Sequence, residues 1–367
     1  MKKKEPTFRA HMIYLYVLFS LLLCPRAQAQ EESLILSNRC LLLDPEYSAQ
    51  EDWIPGYNKP ANIDVWSDYD KLFTSGSFLY FQAIEDGLAL GLLQPSAQTL
   101  FDQSPNSSLL TIEFPFQPGF RVGLGLHLGD RDWDFYAEYT WFRQQEASAF
   151  SAPSGGSIEP LWLYDLVSEE PATSAISDWH LSLDMIDGEL GTSYYLSAEN
   201  VVRPFWGSRL AWISQTFSPA YTISGETVEA RNKIRSWGLG LRAGVDTEWH
   251  VGPNTKLLAN GAFSSLYTHY KLSVEQQSFE NPQQTAIATY ETPDYLRPQY
   301  ESAFGLAWGN YLFNSLCHFE IRALYELHVF WNQNIFGSAF GGIVNRSAKG
   351  STNLYLHGLT VKMRLDF

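Results

Sequence analysis

The sequence predicts an all-β chain: a transmembrane antiparallel β-barrel of about ten strands, with short periplasmic turns and long extracellular loops. Three observations carry the prediction. Apolar residues recur with a period of two from residue 71 onward, the connections between these runs are short and long by turns, and the chain opens on a secretory leader.

In that leader Lys2, Lys3, Lys4 and Arg9 precede an apolar run from Met12 to Leu23, and Ala27-Gln28-Ala29 supplies a small-residue cleavage site. Residues 1–29 are therefore expected to be a signal peptide. Cys24 follows Leu23 rather than a small residue and lies before the cleavage site, which argues against a lipid-modified cysteine. Removing the leader takes five from the 25 Lys+Arg and one from the 40 Asp+Glu, leaving 20 basic and 39 acidic residues. A chain this acidic is not expected to bind nucleic acid. No later stretch offers about 18 uninterrupted apolar residues, so no membrane helix is expected, and strands can cross a bilayer only as a closed barrel.

Residues 30–72, with "DPEYSAQEDWIPGYNKPANIDVWSDYD", do not alternate and read as a periplasmic N-terminal segment; the barrel is expected over 73–367. Its first strand covers about 74–93. The second covers 109–128, where Phe120, Val122, Leu124, Leu126 and Leu128 oppose Arg121, Gly123, Gly125 and His127. The third, 133–146, sets Trp133, Phe135, Ala137, Tyr139 and Trp141 against Asp134, Tyr136, Glu138, Thr140 and Phe142. The fourth and fifth lie at 176–196 and 203–215. In the sixth, 234–251, Trp237, Leu239, Leu241, Ala243, Val245, Thr247 and Trp249 alternate with Gly238, Gly240, Arg242, Gly244, Asp246 and Glu248. The seventh and eighth are at 256–272 and 297–308. The ninth, 315–332, sets Phe319, Ile321, Ala323, Tyr325, Leu327, Val329 and Trp331 against His318, Glu320, Arg322, Leu324, Glu326 and His328. The tenth is 351–367. If the long second and fourth runs each merge two strands, the count becomes twelve.

The connections separate a barrel from a soluble sandwich. Those at 129–132, after the fourth strand, at 252–255 and at 309–314 are short, whereas 94–108, 147–175, 216–233, 273–296 and 333–350 are long. Sorting of this kind gives a barrel one rim of tight turns and one of loops. Trp133, Trp141, Trp249, Trp308 and Trp331 fall near strand ends, where amphipathic rings meet lipid headgroups. The chain closes with "LTVKMRLDF", and Leu365 and Phe367 resemble the C-terminal signal that hands bacterial barrels to the outer-membrane assembly machinery.

The stretches "FLYFQAIEDGLALG" (78–91), "FPFQPGFRVGLGLHLGDRDWDFYAEYTWF" (114–142) and "RPFWGSRLAWISQ" (203–215) resemble the Legionella-type major outer membrane protein family, pore-forming proteins also present in chlamydia-related bacteria. The resemblance covers most of the chain after about residue 70. It implies a barrel porin or major surface protein of the Gram-negative outer membrane, and it brings no catalytic residues with it.

On the polar parity the candidate pore-lining residues are Arg121, His127, Glu138, Arg209, Arg242, Asp246, Glu248, His318, Glu320, Arg322, Glu326 and His328. Mixed charge inside a pore tunes ion selectivity, yet about ten strands is close to the size at which side chains fill the interior. The expected function is passive passage of small solutes or ions through a narrow pore. The alternative is a surface, adhesin or structural protein with a closed lumen. The glycines at 123, 125, 238, 240 and 244 either open inward space or permit tight curvature.

An enzyme is not expected. Asp178 and His180 share a strand face near the loop rim, but no Asp-x-Asp faces them there, and "DWD" at 132–134 falls at a periplasmic turn. No cofactor or metal site is expected, His318 with Glu320 reading as a lumenal pair. Cys40 and Cys317 either form a disulfide, within the chain or with a neighbour, or remain two unpaired thiols. Residues 145–174, acidic and with apolar side chains, read as a variable disordered surface loop or a ligand-binding one. The partners expected are outer-membrane lipid and lipopolysaccharide, the barrel-assembly machinery, further copies of the chain and a host-surface ligand.

Overall fold

The computed structural model describes residues 71–95, 107–128, 133–163, 171–197, 199–252, 254–277, 285–291, 294–312, 317–337 and 351–367. The expected signal peptide, almost all of the N-terminal segment and Cys40 lie outside the described residues. Ten long strands form the wall: β1 (Lys71–Glu85), β2 (Phe116–Leu128), β3 (Trp133–Ser151), β4 (Ser174–Thr192), β5 (Asn200–Ile223), β6 (Glu226–His250), β7 (Thr255–Gln277), β8 (Tyr295–Leu312), β9 (Cys317–Asn334) and β10 (Thr352–Asp366). Each pairs antiparallel with its neighbour in sequence, and β10 pairs with β1, so the sheet closes on itself.

The registers fix the barrel's dimensions. A path across paired residues from Lys71 through His127, Asp134, Gly191, Phe205, Gly244, Ala262, Glu301, His328 and Leu356 returns to β1 at Ala83. That twelve-residue stagger over ten strands implies a tilt of about 40° and a backbone cylinder about 10 Å in radius.

On β2 the outward positions from Leu128 to Phe116 are all apolar, and Phe120, Val122 and Leu124 are 42%, 51% and 51% exposed. Leu241, Phe304, Tyr325 and Met363 continue the exposed band around the wall. At the tilt above the band is about 30 Å tall, which matches a bilayer's hydrocarbon core. No water-soluble protein leaves so much apolar surface uncovered. Trp133, Trp249 and Trp308 stand at strand ends on the short-turn rim. Trp141, Trp331 and the directly paired Trp212 and Trp237 form a second girdle toward the other rim.

The loop rim departs from the expected pattern in four places. The fifth and sixth runs are joined not by a long loop over 216–233 but by a two-residue turn, Ser224-Gly225, so the loops are not all long at that rim. Both turn residues have positive φ, 52° and 86°, the geometry of a type I′ hairpin. The first and second runs do not stay in the wall over their whole lengths: β1 ends at Glu85 and β2 begins at Phe116. Gly91–Gln94 and Ser108–Leu110 leave the wall and join Ser157–Pro160 in a separate three-stranded sheet. Residues 145–174 are ordered over much of their length: β3 runs on to Ser151, and Ile158, Trp162 and Leu163 are buried. β7 extends to Gln277, where Thr285–Glu291 pairs back on it.

That small sheet packs into the loop-rim half of the barrel and forms the apolar core. Leu88, Leu90, Leu110, Ile112, Ile158 and Trp162 meet wall residues Phe81, Phe142, Trp179, Leu181, Phe217, Tyr221, Tyr270, Phe330 and Leu354, joined by Ile335 and Phe336. Trp162 lies edge-on to Phe217 at 4.9 Å and donates to the Ala89 carbonyl at 2.6 Å; the Tyr221 hydroxyl donates to the Leu90 carbonyl at 2.6 Å.

Because Gly225 sits in the left-handed region, Gly225→Val is expected to cost about 1–2 kcal/mol. The check is a lower urea midpoint for loss of the heat-modifiable folded band, with Ser224→Gly as the neutral companion.

Candidate functional site

The half of the lumen nearer the short-turn rim is polar, because the inward parity of the strands places charges where the outward parity places lipid-facing chains. A cavity of about 280 Å³ is bordered there by all twelve predicted residues: Arg121, His127, Glu138, Arg209, Arg242, Asp246, Glu248, His318, Glu320, Arg322, Glu326 and His328. It is also bordered by Asp134, Asp187, Glu189, Arg203, Lys256, Glu301, Lys362, Arg364 and Asp366, which the sequence reading did not single out. These follow the same alternation. Lys362, Arg364 and Asp366 are the other parity of the C-terminal strand, and Asp187 and Glu189 were obscured because Asp184, on the opposite face of β4, blurs the pattern.

The charges are tied together rather than left facing an open channel. Midway up, Arg209, only 2% exposed, forks onto Asp187 with both contacts at 2.6 Å and also meets Glu301. Arg242 bridges the same Glu301 (2.8 Å) to Glu189. Beside them Arg121 forks onto Glu326 at 3.0 and 2.8 Å, and Glu326 is bonded to His328 at 2.9 Å. Lys362 reaches Glu138 at 3.1 Å, and Glu138 accepts a bond from Tyr136.

Closer to the short-turn rim, Lys256 joins Glu248 (2.9 Å) and Glu320 (2.8 Å), with Arg322 across the same two carboxylates. Arg203 links Asp134 and Asp246, each at 2.9 Å. Arg364 holds Asp366 at 2.7 Å, with His127 and His318 alongside. His318 and Glu320 point to different partners and do not converge on one point.

The inward glycines do not widen this space. At Gly125 a Cβ would fall within 2.0 Å of the Phe73 ring, and at Gly244 within 2.5 Å of the Phe205 ring; the missing side chains let aromatics lie flat against the wall. Toward the loop rim the cavity meets the apolar core at Met185, which belongs to both.

Other candidates fall elsewhere. Asp178 and His180 do pair, at 3.0 Å, but on the outward face and with each side chain nearly half exposed. Cys317 begins β9 at the short-turn rim, partly exposed, while its suggested partner is outside the described residues. Leu365 and Phe367 lie along the closing seam, where the Phe367 amide donates to the Leu72 carbonyl at 3.1 Å.

Residues 68–367 match the family model described as the Legionella pneumophila major outer membrane protein precursor. No curated protein matches the sequence. Among solved structures, the outer membrane protease OmpT of Escherichia coli is similar at 9% identity, covering 83% of this chain and 99% of that one, with a TM-score of 0.39. A major outer membrane protein of Thermus thermophilus is similar at 10% identity, with 81% and 99% covered and a TM-score of 0.32. A FadL homologue of Pseudomonas aeruginosa gives 8% identity, 85% and 93% coverage and a TM-score of 0.25.

Breaking one partner of the buried fork should be costly, whereas replacing both should not. Arg209→Met leaves Asp187 without its forked partner, while Arg242 still holds Glu301, and is expected to lose about 3–5 kcal/mol; adding Asp187→Leu is expected to recover most of it. Urea unfolding of the three proteins in detergent micelles measures both steps.

Proposed function

This chain belongs to the Legionella pneumophila major outer membrane protein family and is a barrel of the Gram-negative outer membrane; from that premise we propose that it passes small ions and solutes passively through a narrow lumen that rests constricted. The observation that supports this reading is the space left among the lumenal side chains, a cavity of about 280 Å³ within the lipid-spanning half of the wall. Its border carries eight basic residues (Arg121, Arg203, Arg209, Arg242, Lys256, Arg322, Lys362, Arg364). Ten acidic residues oppose them (Asp134, Glu138, Asp187, Glu189, Asp246, Glu248, Glu301, Glu320, Glu326, Asp366). The balance favours cations over anions. The apolar core around Trp162, Phe217 and Phe336 is the constriction, and it has to loosen for a hydrated ion to pass. Neither an enzymatic step nor a cofactor enters this reading.

The tightness of that core favours a second reading. With Trp179, Phe217 and Tyr221 at 0% exposure, the barrel serves as a closed surface or structural protein whose contacts are made by its loops.

Single-channel recording in planar bilayers separates the two. Expected for the mature protein are small steps with a cation-selective reversal potential, and for Trp162→Ala combined with Phe336→Ala, steps several times larger. A heat-modifiable, inserted double variant that still does not conduct would discard the pore and leave the closed barrel.

A further inference from the structure

We infer that the outward face of β5–β7, just beyond the loop-rim aromatic girdle, docks the phosphate of an anionic glycolipid of the outer leaflet. The inference rests on the outer-membrane placement of the barrel and not on its conducting. Trp212 and Trp237 are cross-strand partners in that girdle. Continuing up β6 on the same face come Arg235 and then Lys233, so their backbones lie about 5 and 10 Å above the Trp237 backbone at the barrel's tilt. That is the layer in which headgroup phosphates border the hydrocarbon.

The neighbours of these two cations suit a phosphate. Across the β5 interface Arg235 faces Ser214 and Lys233 faces Thr216; across the β7 interface Lys233 faces Ser273 and Arg235 faces Lys271. Hydroxyls beside a guanidinium and two ammonium groups supply donors on one wall face, and Arg in particular can bind two phosphate oxygens at once. Among the described residues no carboxylate pairs with Lys233 or Arg235, although nearly every cation in the lumen is held by one. Glu275 stands opposite Arg231 and diagonal to Lys233, on which it acts at longer range, so neither Lys233 nor Arg235 has an acid directly across from it.

Arg235 and Lys271 are like charges placed directly opposite, an arrangement that destabilises a sheet and that a bound anion offsets. Partial desolvation, then Arg235 and Arg231, push the Lys233 ammonium below its ordinary range, with Glu275 opposing them. The opposite wall has nothing comparable: the outward positions near this height on β9, β10 and β1 are Trp331, Tyr355 and Ile84.

The test titrates refolded mature protein in detergent with bisphosphorylated lipid A and with its phosphate-free counterpart. Three proteins are compared: wild type, Lys233→Gln combined with Arg235→Gln, and Ile84→Glu as a charge change on the far wall. Heat-modifiable mobility confirms that each has folded. Expected are binding about tenfold weaker in the double variant, wild-type-like binding in Ile84→Glu, preference of the wild type for the phosphorylated lipid, and weakening with salt. Equal binding by the double variant, or no preference for phosphate, overturns the site. Displacement of lipid A by micromolar inorganic phosphate also overturns the glycolipid assignment, because it would show a simple anion site. If the double variant does not fold, the phosphate preference and salt dependence of the wild type decide alone.

Discussion

The closure of β10 onto β1 is the constraint on which everything else in this molecule rests. Within hydrocarbon an unpaired backbone amide or carbonyl costs several kcal/mol, so an open edge is not tolerated and a strand crosses only with both sides paired. The seam runs in continuous register from Phe73↔Asp366 to Glu85↔Leu354. β10 covers the remaining edge of β1 on one side and of β9 on the other, so neither is fully paired without it. The same closure fixes the stagger, hence the tilt, the radius and the limited interior into which the side chains must fit.

A second constraint comes from the change of solvent along each strand. In the lipid zone of β6 the apolar side chains, Trp237 to Trp249, point outward and Arg242 and Glu248 point in. Above the girdle the order reverses, with Val228, Ala230 and Ile234 inward and Arg231, Lys233 and Arg235 outward. β5 repeats the reversal between Trp212, outward, and Ile213, Phe217 and Tyr221, inward. One continuous strand is therefore an inside-out protein below the girdle and an ordinary one above it. The apolar core follows directly: once the wall rises into water its inward face becomes the hydrophobic one, and Ile158, Trp162 and Leu163 fold in to cover it.

That reversal also explains what was legible in the sequence. Number, order and inward parity of the strands were readable because within the lipid zone the alternation is unbroken, and all twelve residues chosen on that parity border the lumen. The pattern is lost where the parity flips. At Ile234 the period-two pattern loses phase, so a strand continuing to Glu226 looked like the end of one, and the Ser224-Gly225 turn was lost inside an apparent loop. Near 158–163 the apolar side chains looked like exposed loop residues because their burial depends on wall positions such as Phe217 and Phe336, far away in sequence. Ion pairing was equally hidden: the sequence shows which charges face inward, but the Arg209 fork onto Asp187 and Glu301 depends on registers set by the whole barrel.

The charge network should not be equated with a channel. A strand apolar on both faces would be read as a membrane helix and would not reach the outer membrane, so the inward face has to be polar whether or not anything flows past it. The mean hydropathy of −0.19 meets that requirement. Polar groups facing a lumen about 10 Å in backbone radius must then satisfy one another, since little water fits among them. Arginines forked onto carboxylates, with Arg209 and Glu320 almost wholly buried, are what that geometry demands. The lumenal charges alone therefore distinguish a porin from a closed barrel poorly. The distinction lies in how firmly the apolar core holds above them, which is set by the packing of Trp162 and Phe336 on Phe217 and not by the charges beneath.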